Sequence, residues 1–225
     1  MKNEFSEMTS LEEVDNGNEL FSVQLRKATK SIHDLSDALV NAKLGVTISD
    51  DSVWAEGLLV FYEVFKFLEK SLTSHSDSLI GDLLIPGMAR TEAFENDLDY
   101  FYGDWRDGYE IRPEVQQYLE HLERLDNENP YLLIPYIYHL YMGLFSGGQI
   151  LAAKVHARCF VEFLIFFLQR KYLSLSGSKA DATQPGCAVT SYQDKTIRQL
   201  KNQLRQAVND LADNLDEELR QVISL

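Results

Sequence analysis

The stretch PYLLIPYIYHLYMGLFSGGQILAAKVH, residues 130–156, decides how the rest of the chain is read. Leu133, Tyr136, Ile137, Leu140, Leu144, Leu151 and Val155 recur at helical spacing, which predicts one long helix with an apolar stripe. Its interior carries Gly143, Gly147 and Gly148. Each glycine inside a helix is about 1 kcal/mol less favourable than alanine. Gly143-x-x-x-Gly147 alone would serve close helix–helix approach, and the adjacent Gly148 exceeds that need. A helix bare of side chains over a full turn leaves a slot about as thick as a flat aromatic molecule, and it can bend there.

Moving towards the N-terminus, a helix is predicted over Phe21–Leu44, with Leu25, Ala28, Ile32, Leu35 and Leu39 on its apolar stripe and Gly45 as its stop. Arg26, Lys30 and His33 follow one another at i, i+4 and i+7 and project together, with Thr29 alongside. One reading is a solvated face. The other is a pocket for an anionic ligand that also uses an imidazole. One helix offering cations and an imidazole, facing another offering bare backbone, suits a planar anionic metallo-ligand held between the two.

The remaining pattern is also helical. Segments are expected at about Ser52–Ser71, capped by Ser49, Asp50 or Asp51, and at Ala89–Tyr102, ended by Gly103. Another starts at Pro113 with Val115, Tyr118, Leu119, Leu122 and Leu125 on its stripe. Cys159–Leu173 reads as a buried helix, Leu175–Ser191 as a flexible loop, and Gln193–Leu211 as a last amphipathic helix before a short helical end. Residues 1–19 read as a disordered acidic tail ahead of one domain over 20–225. With no alternating strand pattern of useful length, the expected class is all-α.

Composition narrows the function. With 35 acidic against 21 basic residues the formal charge is −14, which argues against nucleic acid or an anionic membrane as the partner of the whole chain. Two cysteines, Cys159 and Cys187, lack metal-type spacing and suit a reducing compartment. The acidic N-terminus has no secretory h-region, and no apolar run reaches 18 residues, so a chain without a membrane anchor in the cytoplasm is expected. No dinucleotide fingerprint, phosphate loop, HExxH or CxxC pair occurs. His75 and His121 read as bystanders. His139, four residues before Gly143 on the same face, is a rival ligand to His33, and His156 lies two turns beyond the glycines.

Four stretches together resemble the heme oxygenase family, and its insect branch in particular: LRKATKSIHDLSD at 25–37, LLVFYEVFKFLEKSL at 58–72, FENDLDYFYG at 94–103 and YLLIPYIYHLYMGLFSGGQIL at 131–151. The resemblance implies a single all-α domain with heme between a proximal and a distal helix. It places His33 as the proximal iron ligand, and Arg26 with Lys30 at the heme propionates. Arg198 stands for the family's other propionate cation, with Lys201 or Arg205 as alternative registers. Gly143, Gly147 and Gly148, with Ser146 among them, fall on the distal helix. Tyr138 joins them as a catalytic candidate, and Tyr62 and Glu69 match polar positions around the pocket, Glu69 as an acceptor for the ligand imidazole.

The implied activity is oxidative opening of heme, as substrate and cofactor, to biliverdin with release of CO and ferrous iron. It uses O2 and electrons from NADPH through a cytochrome P450 reductase-type donor, in heme catabolism and the oxidative stress response. Biliverdin reductase is an implied partner, and the endoplasmic reticulum surface is the implied place of a longer anchored form. The family pattern Gly-Asp-x-Ser-Gly-Gly here reads Gly143-Leu-Phe-Ser-Gly-Gly. Leu144 can neither accept nor relay a proton. That departure, with the early end at Leu225, frames the alternative of a heme-binding or sensing protein with little ring opening. A cofactor-free helical interaction module is the third class.

Overall fold

Leu58, Tyr62, Phe65, Leu68 and Leu72 are all buried and all lie on one face of the helix around which the others pack. A computed structural model describes residues 14–15, 18–31, 51–146 and 186–224. In it, α1 is Phe21–Ala28, α2 Asp51–Ser74, α3 Thr91–Tyr102, α4 Pro113–Glu128, α5 134–146, α6 Ile197–Ala212 and α7 Glu217–Ser224. Short 3-10 turns occupy Gly81–Leu83, Pro130–Leu133 and Ala188–Thr190. The fold is all-α. A two-residue antiparallel ladder, β1 (Val14–Asp15) with β2 (Asn18–Glu19), precedes α1 and falls inside the stretch expected as a tail.

α2 packs against α3, α4 and the 81–83 turn, while α1 packs against α6 and α7. The backbone amide of Ser22 donates to Asn209 Oδ1 of α6 at 3.0 Å. Each large apolar side chain removed from water in this core contributes about 1.5–3 kcal/mol. Among the described residues no helix is long and apolar enough to cross a membrane.

Several boundaries differ from expectation, each for a local reason. The first helix stops at Ala28, and the chain is helical again at 30–31, where the described residues pause. Thr29 causes the break: its hydroxyl donates to Leu25 O at 3.0 Å, competing with its own amide for that carbonyl. Ala28 is exposed, off the predicted stripe. The remainder of the predicted first helix, with His33, lies outside the described residues.

α3 starts two residues late because its first amides are capped from α2. Glu69 Oε1 accepts from Arg90 N at 2.5 Å, and Oε2 accepts from Thr91 N at 3.1 Å. α4 starts at Pro113 as expected, but Tyr118 stands out at the surface, 37% exposed. It stacks with His121 and Tyr136, while Val115 and Leu122 alone are fully buried along α4.

The glycine-bearing stretch begins as a 3-10 turn, because Asn129 Oδ1 takes Tyr131 N, and becomes α5 at 134. Its deepest row is Ile134, Ile137, Tyr141 and Phe145, not Leu140 and Leu144, which are half-buried beside Gly143. Gly147, Gly148, His156 and the Cys159–Leu173 segment lie outside the described residues. Residues 186–191, expected as flexible loop, are ordered: Asp97 of α3 accepts from Ala188 N at 2.7 Å and Val189 N at 2.9 Å.

Candidate functional site

α5 has one face anchored, and away from it a gap at Gly143. On the anchored face Tyr141, fully buried, donates its hydroxyl to Glu69 Oε1 at 2.7 Å and meets the Phe65 ring edge-on, centroids 4.9 Å apart. Burial, reinforced by the Glu69 charge, holds the Tyr141 phenol far above its ordinary range. Two residues on, and therefore on nearly the opposite side of the helix, comes Gly143. A Cβ placed there would meet no atom within 4 Å outside its own helix.

His139 lies one turn before Gly143 on that open side. Its Nε2 is 3.1 Å from Thr29 Oγ1, so the end of α1 and the glycine face of α5 meet at these two residues. The Thr29 hydroxyl donates to Leu25 O, and the same oxygen lies 3.5 Å from His139 Nδ1. Tyr138 is buried next to it, its ring edge-on to His139 with centroids 5.3 Å apart.

Arg26 on α1 and Lys30 just beyond its end are both exposed, on either side of Thr29 in the chain. On α6, which packs against α1, Arg198 is exposed and Lys201 half-buried. Burial, and then the like charge of Arg205, push the Lys201 ammonium down from its ordinary value. A cation held this way gains from a bound anion. Ser146 is exposed at the last described turn of α5.

Other residues singled out in the sequence serve the scaffold. The four donors on Glu69, with Thr91 Oγ1 at 2.5 Å as the fourth, tie α2 to α3 and α5. Tyr62 donates to Glu95 of α3 at 2.8 Å, with the Lys66 ammonium 4.9 Å from its ring centre. His75 and His121 each make a hydrogen bond within the scaffold. His75 Nε2 is 2.9 Å from Asp126 Oδ1, and His121 Nε2 is 2.8 Å from the Tyr136 hydroxyl.

Two residues that hold the segment 188–192 ahead of α6 escaped the sequence reading. Arg90 donates to Ser191 O at 2.7 Å and lays its guanidinium 4.1 Å from the Tyr192 ring centre. Tyr192 in turn meets Phe145 of α5. Asp97 is the second, and its signal was a carboxylate on the same face as Phe94 and Leu98.

Fold and site define an all-helical protein in which Gly143 leaves a gap among the side chains of α5 and exposed cations stand at and just beyond the end of α1. The sequence model of the heme oxygenase family matches residues 19–224, and the chain belongs to that family. It is 30% identical over 134 residues to the heme oxygenase of Rhodella violacea, an alignment covering 58% of this chain and 57% of that protein. The heme oxygenase of Guillardia theta is 29% identical over 133 residues, covering 58% and 56%. These alignments thus span little more than half the length of the relatives. Among solved structures, heme oxygenase 2 from Chlamydomonas reinhardtii without heme superimposes with a TM-score of 0.72 at 25% identity, covering 92% of this chain and 90% of that one. Heme oxygenase-2 from Synechocystis, in complex with heme and NO, gives 0.71 at 25%, covering 91% and 78%.

Proposed function

We propose that residues 20–225 form one heme-degrading oxygenase domain. It opens heme to biliverdin with release of CO and ferrous iron, using O2 and electrons from NADPH through a cytochrome P450 reductase-type donor. The observation that carries this is the family match over residues 19–224, which includes both the cationic and the glycine-bearing helices. The described residues fit heme on two counts: room at Gly143, where an added Cβ would meet nothing within 4 Å, and the exposed cations Arg26 and Lys30 on either side of Thr29, which meets His139 of α5.

Heme supplies, when bound, both the ring to be opened and the iron that activates O2. The chain's residues hold and orient it. His33 would hold the iron, Arg26, Lys30 and Lys201 or Arg198 would pair with the propionates, and Gly143 with Gly147 and Gly148 would let backbone approach the ring. Leu140 and Leu144 line the same side and exclude water without moving a proton. Tyr138, buried beside His139, supports the polar end. The heme-holding protein without ring opening is not favoured, since Leu144 is one position in a match that runs through the whole helical domain.

The test mixes the protein with hemin, a P450-type reductase and NADPH. Loss of the Soret band with appearance of biliverdin is expected. A Soret band that persists without biliverdin overturns the assignment.

A further inference from the structure

We infer that Arg90 and Tyr192 are positioning residues for the ligand side of α5, acting on Gly143 through Phe145. The inference rests on the heme reading above. Five residues from separate parts of the chain close a circuit of contacts. Tyr141 of α5 donates to Glu69 Oε1 of α2 at 2.7 Å, and the same oxygen accepts from Arg90 N at 2.5 Å. The Arg90 guanidinium lies 4.1 Å from the Tyr192 ring centre and donates to Ser191 O at 2.7 Å. The Tyr192 ring meets Phe145 edge-on, centroids 5.6 Å apart. Phe145 lies 6.0 Å from Tyr141, where the circuit closes.

α5 is thus attached at two points about one helical turn apart, Tyr141 by a hydrogen bond and Phe145 by ring packing. Gly143 lies between them in the chain and on nearly the opposite side of the helix. One attachment sets the rotation of a helix, and a second along its length sets its tilt. The tilt decides how far the Gly143 backbone stands from a flat ring laid against it. Arg90 joins the two attachments in one residue, its amide on Glu69 and its guanidinium on Tyr192. Tyr192 Oη is buried and meets no hydrogen-bond partner, so the aromatic ring holds Phe145 without help from the hydroxyl. A buried hydroxyl left unpaired costs stability, and its removal relieves that cost.

Three variants of the full chain separate positioning from scaffold: Tyr192→Phe, Tyr192→Ala and Arg90→Lys. The last keeps the charge and the amide bond to Glu69 but loses the planar group that stacks on Tyr192. Thermal melts are recorded without ligand, and hemin dissociation constants by Soret titration. The infrared C–O stretch of carbon monoxide on the dithionite-reduced hemin complex reports the surroundings on the glycine side. Tyr192→Phe should match the unaltered protein in hemin affinity and C–O band, and melt no lower. Tyr192→Ala and Arg90→Lys should shift or broaden the C–O band and lose up to about tenfold in hemin affinity, the equivalent of one aromatic pair. Their Soret position should be retained, since His33 is untouched. Arg90→Lys carries the test should Tyr192→Ala fail to fold. An unchanged C–O band and hemin affinity in Arg90→Lys, or in a folded Tyr192→Ala, overturns the inference however far the melts fall, and leaves the circuit a scaffold element. A Tyr192→Phe variant that behaves like Tyr192→Ala overturns it too. Absence of any specific Soret change in the unaltered protein overturns the heme reading itself, and the inference with it.

Discussion

The Tyr141 hydroxyl sits 2.7 Å from Oε1 of Glu69, two residues before the glycine whose far side is open. The bond fixes the rotation of α5 about its own axis, and so the direction in which Gly143 faces. Tyr141→Phe removes one charge-assisted hydrogen bond from a buried carboxylate, for which a loss of about 1.5–3 kcal/mol is expected. Urea denaturation monitored by circular dichroism measures it. A variant as stable as the parent would show that the bond contributes nothing.

Gly143→Ala separates fold from ligand. Nothing crowds an added methyl, so the helix should gain up to about 1 kcal/mol from alanine's propensity. Hemin affinity should fall at the same time, since the methyl enters the space assigned to the ring. Thermal melts and Soret titration report the two halves. A variant that is more stable and binds hemin equally well would remove Gly143 from the site.

Asp97→Ala strips the acceptor from two backbone amides of the 188–190 turn. We expect a loss of about 2 kcal/mol, since buried donors are left unsatisfied. Limited proteolysis should cut near residues 186–191 faster than in the parent. Unchanged cleavage there would mean that Arg90 alone, through Ser191 and Tyr192, holds the segment.

Alkaline titration has a defined sign. Burial, joined by the Glu63 carboxylate, pushes the Tyr109 phenol up to about 12, and burial does the same to Tyr192. Their folded values lie above the ordinary 10.0, so their contribution is complete below that pH and is lost as pH rises through about 12. Phenolate absorbance should therefore appear in two stages, the second coinciding with loss of helical signal. A single stage centred near 10 would contradict the burial of these side chains.

Local grammar made much of the fold legible. Pro113 opens α4 and Gly103, at φ +66°, closes α3, because both choices are made within one turn of chain. The bare face of α5 was legible at Gly143 for the same reason. What could not be read depends on partners far along the chain. The break at Thr29 involves a hydroxyl that also meets His139, 110 positions later. Glu69 could be named as a polar residue near the site, but its donors lie 21 to 72 positions away, and only their convergence shows that it caps α3 and anchors α5. The stretch at 186–191 has a loop's composition and is ordered by a carboxylate 91 and 92 positions earlier.

The capping of α3 from another helix bears on how the molecule assembles. Arg90 gives α3 no side-chain cap of its own, and its first amides wait for Glu69 of α2. A twelve-residue helix without local capping is marginal by itself. The start of α3 therefore forms together with its docking on α2, and the same carboxylate then receives α5 through Tyr141. Amide hydrogen exchange at the N-terminal turn of α3 should report the opening of the three-helix unit as a whole, not the fraying of one end. The stretch of chain that carries Gly143 is thereby tied to the same unit, since Tyr141 and the start of α3 share one carboxylate.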